Sequence, residues 1–342
     1  METKIISVDN FLDNKKSYKQ AVDILKSGGV VAFPTETVYG LGALATDESA
    51  VQKIFEAKGR PSDNPLIVHI GTKEDVRKYA QGITENAEKL MDVFWPGPLT
   101  LVFDKIPGVV ASNVTPGLET VGIRMPDHPV ALGLLRELGE PLAAPSANRS
   151  GKPSPTEASH VEEDLGGLIP LILDGGQTGV GVESTVLDMT VHPPVILRPG
   201  GATQEMIEEI IGPVHSDTEE LSGAAPRSPG MKYLHYAPNA PLFVIGPDEK
   251  KIREAVATLH NEGKKVAVIG PDEYLISNAD WYFSVGPLQN NEMMATNLYR
   301  AIRQCDLTNA NIILAVETDL TGFGAAVMNR LTKASEGKRF TN

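Results

Sequence analysis

Short apolar runs that stop at a proline or glycine recur along this chain, and stretches with the helical spacing of apolar residues lie between them. The stretch 17–25 has an apolar helical face, and the run 29–33 that follows it ends at Pro34. Asp47 and Gly59 bracket a second helical stretch, as N-cap and left-handed C-terminal cap. Alternation of this kind predicts a layered α/β structure in which helices cover a sheet.

The same alternation continues to about residue 212. We expect further strands at 66–70, 99–103, 120–124, 141–144, 171–174, 184–188 and 195–197, and further helices at 85–94, 130–138 and 204–211. This pattern predicts an N-terminal α/β domain over 1–212, with a large mixed twisted sheet.

Periodicity is lost over 213–240, where glycine, proline, serine and charged residues collect. We interpret this stretch as a linker. Strands and helices alternate again over 241–342, which predicts a smaller, doubly wound, Rossmann-like α/β domain. A chain of 342 residues is long enough for two such domains, each with its own core.

Composition and charge exclude several classes of function. The net charge of −13 argues against stable, sequence-independent binding to nucleic acid. Cys305 is the one cysteine, so the chain can form neither an internal disulfide nor a multi-cysteine metal site. Apolar runs stay well short of the roughly 18 residues that a membrane span needs, and the N-terminus lacks the pattern of a signal peptide. We therefore expect a soluble, cytoplasmic protein without membrane contact.

The common nucleotide-binding motifs are missing from the sequence. There is no GxxxxGK(S/T) phosphate loop, and Gly40-Leu41-Gly42 lacks the third glycine of a dinucleotide fingerprint. A nucleotide ligand must therefore be held by another kind of cradle.

Seven segments of the first domain place polar or cationic groups at the ends of predicted strands and helices. They are PTETVYGLG (34–42), KGRPSDNPLIVHI (58–70), WPGPLTLVF (95–103), TVGIRMP (120–126), APSANRSGKPSPT (144–156), GVESTVLD (181–188) and ILRPG (196–200). In this order and spacing they resemble the YrdC-like domain of the threonylcarbamoyl-AMP synthases, from about residue 5 to 212. The segment SPGMKYLHYAP (228–238), followed by an α/β domain, resembles the long two-domain form of that family.

The resemblance implies an enzyme, an L-threonylcarbamoyladenylate synthase of the nucleotidyltransferase class. Such an enzyme joins L-threonine, bicarbonate and ATP with release of pyrophosphate, for the threonylcarbamoyladenosine modification of tRNA. Adenylate formation depends on positioning the reactants and on cations around the developing charge. Mg²⁺ is expected to enter with ATP, held by phosphate oxygens and water. The product is expected to pass to a tRNA threonylcarbamoyl transferase.

By resemblance, Lys58 and Arg60 face the ATP phosphates and are the candidate catalytic residues. The other candidate ATP contacts are Asn64, Thr120, Ser146, Asn148, Ser154, Arg198 and Tyr236. The candidate L-threonine contacts are Thr37, His69, Arg124, the Ala144 backbone and Ser184. Arg124 is the expected carboxylate clamp, because a guanidinium fork matches two oxygens. Neither a general base nor a protein metal ligand is assigned, and Glu36 and Glu183 receive no role.

Each of these residues also has a simpler structural explanation when it is taken alone. Lys58 and Arg60 are typical partners of a helix C-terminus, His69 is typical of a core histidine, and Arg124 is typical of a structural ion pair. Ser146, Asn148 and Ser184 are typical turn or cap residues. In the linker, Lys232, Tyr233, His235 and Tyr236 are typical docking residues. The resemblance instead implies that the linker covers the active site.

Two rival functions follow from the same motifs. The first is an RNA-binding module of YrdC-like fold, against which the acidic charge argues. The second is the carbamoyl transfer that related domains perform in hydrogenase maturation, but those chains carry zinc-finger parts with several cysteines. The C-terminal domain is expected to be regulatory or structural, since it lacks a phosphate loop.

Overall fold

The computed structural model describes residues 2–8, 15–216, 235–274 and 276–341. Its strands are β1 (Lys4–Ser7), β2 (Val31–Phe33), β3 (Gly40–Leu44), β4 (Ile67–His69), β5 (Ala80–Gln81), β6 (Leu99–Lys105), β7 (Thr120–Arg124), β8 (Leu142–Ala143), β9 (Leu171–Asp174), β10 (Thr185–Asp188), β11 (Val195–Arg198), β12 (His215–Ser216), β13 (Leu242–Ile245), β14 (Val266–Gly270), β15 (Trp281–Ser284) and β16 (Ile312–Val316). Its helices are α1 (Lys15–Lys26), α2 (Glu48–Lys58), α3 (Glu85–Phe94), α4 (Pro129–Leu138), α5 (Ala158–Leu165), α6 (Gln204–Ile211), α7 (Glu249–Asn261), α8 (Asn291–Asp306) and α9 (Phe323–Ala334), with a short 3-10 helix at Lys73–Lys78.

The chain divides into two compact units. The first takes in the described residues of Met1–Ser150, Pro155–Gly179 and Glu183–Lys232. The second takes in those of Tyr233–Asn342, together with the short segments Gly151–Ser154 and Val180–Val182. The domain boundaries at 212 and 241 stay a prediction.

The first unit contains the large sheet. Among the described residues this sheet has twelve strands, in the order β1-β9-β2-β3-β8-β4-β7-β6-β10-β11-β12, with β5 paired to β6. The pairs β4–β7 and β6–β10 are parallel, whereas β6–β7 and β10–β11 are antiparallel. The predicted large mixed sheet is confirmed.

Helices cover the large sheet on both faces, as strand β2 shows. Ala32 enters one apolar cluster, and its neighbours Val31 and Phe33 enter another, because successive side chains of a strand point to opposite faces. The second cluster includes Leu25 of α1 and Leu134 of α4. Each fully buried side chain of this size contributes about 1.5–3 kcal/mol. The two-sided core keeps the strand ends that carry polar residues in fixed positions.

The ends of α2 confirm the predicted caps. The Asp47 carboxylate accepts hydrogen bonds from the backbone N–H groups of Ser49 and Ala50, and Gly59 ends the helix with a φ of 62°. A φ in this left-handed region favours glycine. The caps fix where α2 ends, and therefore where its last residue, Lys58, lies.

The second unit contains a smaller sheet of parallel strands in the order β13-β16-β14-β15. Buried residues of α7 pack on it, among them Ile252 and Val256, beside Val268 of β14 and Leu314 of β16. The predicted doubly wound architecture is confirmed. In the part of the chain that the structure describes, each helix is too short or too polar to cross a bilayer.

Candidate active site

Two strand ends bring the first pair of predicted residues together. His69 is the last residue of β4 and Arg124 the last of β7, and the two are register partners in this parallel pair. Both side chains are buried. Parallel strands end at the same edge of a sheet, so adjacent polar groups follow directly from this pairing.

Arg124 is held by three neighbours. Its Nε donates a hydrogen bond to the Gly97 carbonyl oxygen at 3.2 Å, and its Nη1 donates to Thr37 Oγ1 at 3.0 Å. Its Nη2 lies 2.6 Å from Glu36 Oε1, in an ion pair whose side chains are 5% and 12% exposed. We call Arg124, Thr37, Glu36, Gly97 and His69 the Arg124 cluster.

The pKa of His69 is lowered to about 3. The main cause is burial, which disfavours the charged imidazolium, and the positive charge of Arg124 acts in the same direction. His69 Nδ1 lies 3.1 Å from the Ile67 carbonyl oxygen, and the ring meets Phe33 edge-on at 6.2 Å. At neutral pH the imidazole is therefore uncharged beside Arg124.

Hydroxyl groups fix the backbone around Thr37. Thr35 Oγ1 donates to the Val38 carbonyl oxygen and accepts from the N–H groups of Thr37 and Val38. Because the Thr35 hydroxyl already donates its proton to Val38, Thr37 is the donor in the 2.9 Å contact between the two threonine hydroxyls. Thr37 Oγ1 is then left to accept from Arg124, as observed. The short turn after β2 thus presents Thr37 to Arg124.

Ser184 and Arg198 form a second polar group. The Arg198 Nε and Nη2 atoms both donate to the Ser184 carbonyl oxygen, at 3.1 and 2.9 Å. Ser184 Oγ lies 2.8 Å from Thr100 Oγ1. Arg198 is the last residue of β11 and pairs with Val186 in β10, which explains why this arginine reaches back to Ser184.

Lys58 reaches the loop that contains Ser146 and Asn148. Its buried ammonium group donates to the carbonyl oxygens of both residues, and Ser146 Oγ donates to Asn148 Oδ1. The loop is also tied to β3, because Gly40 and Ser146 form an isolated antiparallel bridge. Lys58 therefore fixes the loop that carries two of the predicted ATP contacts.

Arg60 and Asn64 lie together in the segment before β4. Arg60 Nη2 donates to the carbonyl oxygens of Asn64 and Pro65, at 3.5 and 3.2 Å. Asn64 Oδ1 is buried and makes no hydrogen bond within the described residues. Buried polar atoms normally make a hydrogen bond, so Asn64 Oδ1 is placed to accept one from a bound ligand.

Thr120 lies near the segment that precedes β4, and Ala144 lies beside β4 itself. Thr120 begins β7, at the opposite end from Arg124, and lines a cavity of about 10 Å³ with Pro65 and Thr115. The Ala144 N–H donates to the Ile67 carbonyl oxygen at 3.0 Å. A ligand contact of the Ala144 backbone must therefore use its carbonyl oxygen.

Ser154 and Tyr236 belong to the second unit. Tyr236 is buried, has a φ of 64°, and lies 5.1 Å from the Tyr299 ring and 5.8 Å from the Arg330 guanidinium, measured to ring centroids. Its predicted contact with ATP, like that of Ser154, stays a prediction. Lys232 and Tyr233 lie outside the described residues, and the covering role of the linker also stays a prediction.

Sequence reasoning missed three participants, Glu36, Gly97 and Thr100. Glu36 stands between two threonines in a segment that turns out to be buried, although the sequence suggested a polar loop. A carboxylate flanked by two threonines, in a chain with a predicted clamp arginine, is the sequence signal that could have found it. Gly97 acts through its carbonyl oxygen, which sequence patterns do not reveal.

The described residues contain no group of three or more histidine, cysteine, aspartate or glutamate side chains that could hold a metal ion.

Comparison with known proteins gives a consistent result for both units. A family profile described as "Telomere recombination" matches residues 23–200, and one described as "Threonylcarbamoyl-AMP synthase, C-terminal domain" matches residues 202–336. A threonylcarbamoyl-AMP synthase of Bacillus subtilis is 50% identical over 96% of each chain, and one of Pyrococcus abyssi is 51% identical over 97% of this chain and 98% of that one. The crystal structure of P. abyssi Sua5 complexed with L-threonine matches with a TM-score of 0.92 and 50% identity, over 98% of this chain and 99% of the other.

Proposed function

The chain belongs to the threonylcarbamoyl-AMP synthase family and makes L-threonylcarbamoyladenylate, and we propose that it binds L-threonine at the Arg124 cluster. The observation that carries the proposal is the geometry of Arg124, a buried guanidinium held in place by Gly97 and Thr37 and already facing a carboxylate. A relative with the same fold was crystallised with L-threonine. A fixed guanidinium suits a substrate carboxylate because little side-chain freedom is lost on binding.

The remaining threonine contacts are proposed from their position. Thr37 is fixed beside Arg124, neutral His69 is its strand neighbour, and Ser184 presents a hydroxyl held by Thr100. Because His69 carries no charge at neutral pH, it does not repel the ammonium group of the amino acid. The Ala144 carbonyl oxygen is the proposed fifth contact.

For ATP, we propose that cations and a fixed loop replace the missing phosphate loop. Lys58 holds the carbonyl oxygens of Ser146 and Asn148 and brings a buried positive charge to them. Arg60 and Arg198 add two guanidinium groups, and Asn64 Oδ1 offers a buried acceptor. Preorganised cations stabilise negative charge that develops on the phosphates without reorganising during the reaction.

The proposed chemistry has two balanced steps. The threonine ammonium group first loses a proton to water, and the resulting amine and bicarbonate give the carbamate and water. A carbamate oxygen then attacks the α-phosphorus of ATP, which forms the threonylcarbamoyl-AMP anhydride and releases pyrophosphate. We propose that Mg²⁺ accompanies the triphosphate, with phosphate oxygens and water as its main ligands.

The product is a mixed anhydride that water can destroy. We propose that a tRNA threonylcarbamoyl transferase consumes it and that this chain does not itself hold tRNA stably. The net charge of −13 supports the second point, because an acidic protein needs a concentrated basic patch to bind a polyanion.

Isotope labelling tests the proposal. The protein is incubated with ATP, Mg²⁺, L-threonine and ¹³C-bicarbonate, and the nucleotide products are identified by mass spectrometry. A threonylcarbamoyl-AMP species that carries the label is expected, and Arg124→Lys should need more L-threonine to produce it. Product without label would contradict the proposed source of the carbamoyl carbon.

A further inference from the structure

The ion pair between Glu36 and Arg124 is buried within the predicted threonine site. Arg124 Nε and Nη1 make aligned hydrogen bonds, but Nη2 and both Glu36 carboxylate oxygens make none within the described residues. The 2.6 Å approach of Nη2 to Glu36 Oε1 is therefore an attraction between charges that lacks hydrogen-bond alignment. Glu36 therefore balances the charge of Arg124, but it leaves Arg124 Nη2 without an aligned hydrogen bond.

A buried guanidinium without a counter-ion would attract any small anion that reached it. Bicarbonate and the anions of the surrounding solution are such ligands, and bicarbonate is also the proposed co-substrate. A carboxylate on the same chain opposes them, because its tethering gives it an effective concentration of at least the millimolar order. A small anion at a similar millimolar concentration gains too little binding free energy at Arg124 to displace the Glu36 carboxylate.

We propose that Glu36 is a specificity-determining placeholder, whose carboxylate pairs with Arg124 until L-threonine binds and yields to the carboxylate of L-threonine but not to small inorganic anions. This inference rests on the proposed function, in which Arg124 binds that carboxylate. Glu36 must withdraw when threonine binds, since two carboxylates at one guanidinium nitrogen repel each other.

L-threonine can displace Glu36 because it brings more than a carboxylate. It can align two oxygens with Arg124, whereas Glu36 makes an unaligned contact, and its other groups can meet His69 and Ser184. The hydroxyl bonds of Thr35 fix the backbone on both sides of Glu36. The proposal therefore requires only the Glu36 side chain to rotate away, while Thr37 stays beside Arg124.

Calorimetric titration with L-threonine tests the placeholder in the full-length protein. The titration is carried out in Hepes buffer without chloride, and again with tens of millimolar sodium bicarbonate or sodium chloride. The variants are E36Q, which removes the charge at nearly constant size, and E88Q as the matched control. Glu88 pairs with Arg77 in the same unit, but at the surface, with side chains 36% and 63% exposed.

In the wild type and in E88Q, added bicarbonate should change the L-threonine Kd by less than about twofold. In E36Q the Kd without added anions should fall about tenfold, and bicarbonate or chloride should raise it again by a similar factor. Weaker threonine binding in E36Q would show that Glu36 is instead a partner of the substrate ammonium group. An E36Q protein insensitive to both anions would also overturn the proposal.

Two further measurements keep the test decisive. If E36Q does not fold, E36D replaces it, because its shorter side chain draws the carboxylate back from Arg124. Competition by bicarbonate is then expected in weaker form, and its absence would count against the placeholder. Arg124→Lys separates the two hypotheses: an unchanged threonine Kd in this variant would refute the clamp, whereas a weakened Kd with anion-insensitive E36Q would refute only the placeholder.

Discussion

His69 and Arg124 are register partners at the carboxyl ends of two adjacent parallel strands, β4 and β7. His69 is neutral at physiological pH, because its burial and the nearby Arg124 guanidinium both lower the pKa of the imidazole. Of these two residues, Arg124 therefore carries the positive charge, and the Glu36 carboxylate balances it.

The first prediction concerns stability at low pH. Folded His69 has a pKa of about 3, whereas an unfolded histidine titrates near 6.5. Between these values the unfolded state binds more protons, so the free energy of unfolding falls as the pH falls, by up to about 1.4 kcal/mol per pH unit from this group. Replacing His69 by Gln should remove this contribution. Urea unfolding from about pH 7 to about pH 4 measures it, and equal slopes in both proteins would contradict the assignment.

The second prediction concerns the shape of the clamp. Arg124→Lys keeps the charge but loses the planar fork, so the L-threonine KM should rise about 10- to 100-fold, as expected for a loss of about 1.5–3 kcal/mol. The ATP KM should change little. Arg136→Lys is the control, since Arg136 lies on α4 of the same unit and its Nε donates to the Gly71 carbonyl oxygen. Equal changes in the L-threonine KM for the two substitutions would contradict the assignment of Arg124 to the threonine site.

The third prediction separates the hydroxyl of Thr37 from its shape. Thr37→Val leaves Arg124 Nη1 without its acceptor and should raise the L-threonine KM by about tenfold, because a buried donor that loses its partner costs about 1–3 kcal/mol. Thr37→Ser keeps the hydroxyl and should stay within about threefold of the wild type. Steady-state kinetics with varied L-threonine measure both. A Thr37→Val enzyme with a wild-type KM, or a Thr37→Ser enzyme impaired as strongly as Thr37→Val, would contradict this role of the hydroxyl.

The fourth prediction concerns Lys58. Lys58→Met should raise the ATP KM and lower kcat by at least about tenfold, because it removes a buried charge and frees the loop of Ser146 and Asn148. Lys53→Met is the matched control on the same helix, where the ammonium group donates to the Gly28 carbonyl oxygen. Threonine binding should be unaffected in both. If Lys53→Met were as damaging as Lys58→Met, the effect would belong to α2 and not to the ATP site.

Much of the fold was predictable from local sequence patterns. The helix Glu85–Phe94 and the strand Thr120–Arg124 have the predicted bounds, because periodicity and turn residues define both ends. Strand β3 was missed, since Gly40-Leu41-Gly42 has low strand propensity. It forms because β2 and β8 flank it on both sides, which is a tertiary effect. Helix α5 was missed as well, and its N-cap Glu157 makes no side-chain capping bond.

The site was predictable in its residue types and only partly in its contacts. A resemblance spread over seven segments pointed to Thr37, His69 and Arg124, which the structure places together. The sequence could not show that Lys58 holds backbone carbonyl oxygens, or that Glu36 pairs with Arg124. Both contacts join segments that lie almost ninety residues apart in the sequence and that only the tertiary fold brings together.

Pyrophosphate release by the purified protein tests the central claim most directly. The assay contains ATP and Mg²⁺, with L-threonine and bicarbonate added singly and together, for the wild type and for Arg124→Ala. The account predicts release that requires both co-substrates and is lost in the variant at L-threonine concentrations that saturate the wild type. ATP turnover that is indifferent to L-threonine, or unchanged in Arg124→Ala, would contradict it.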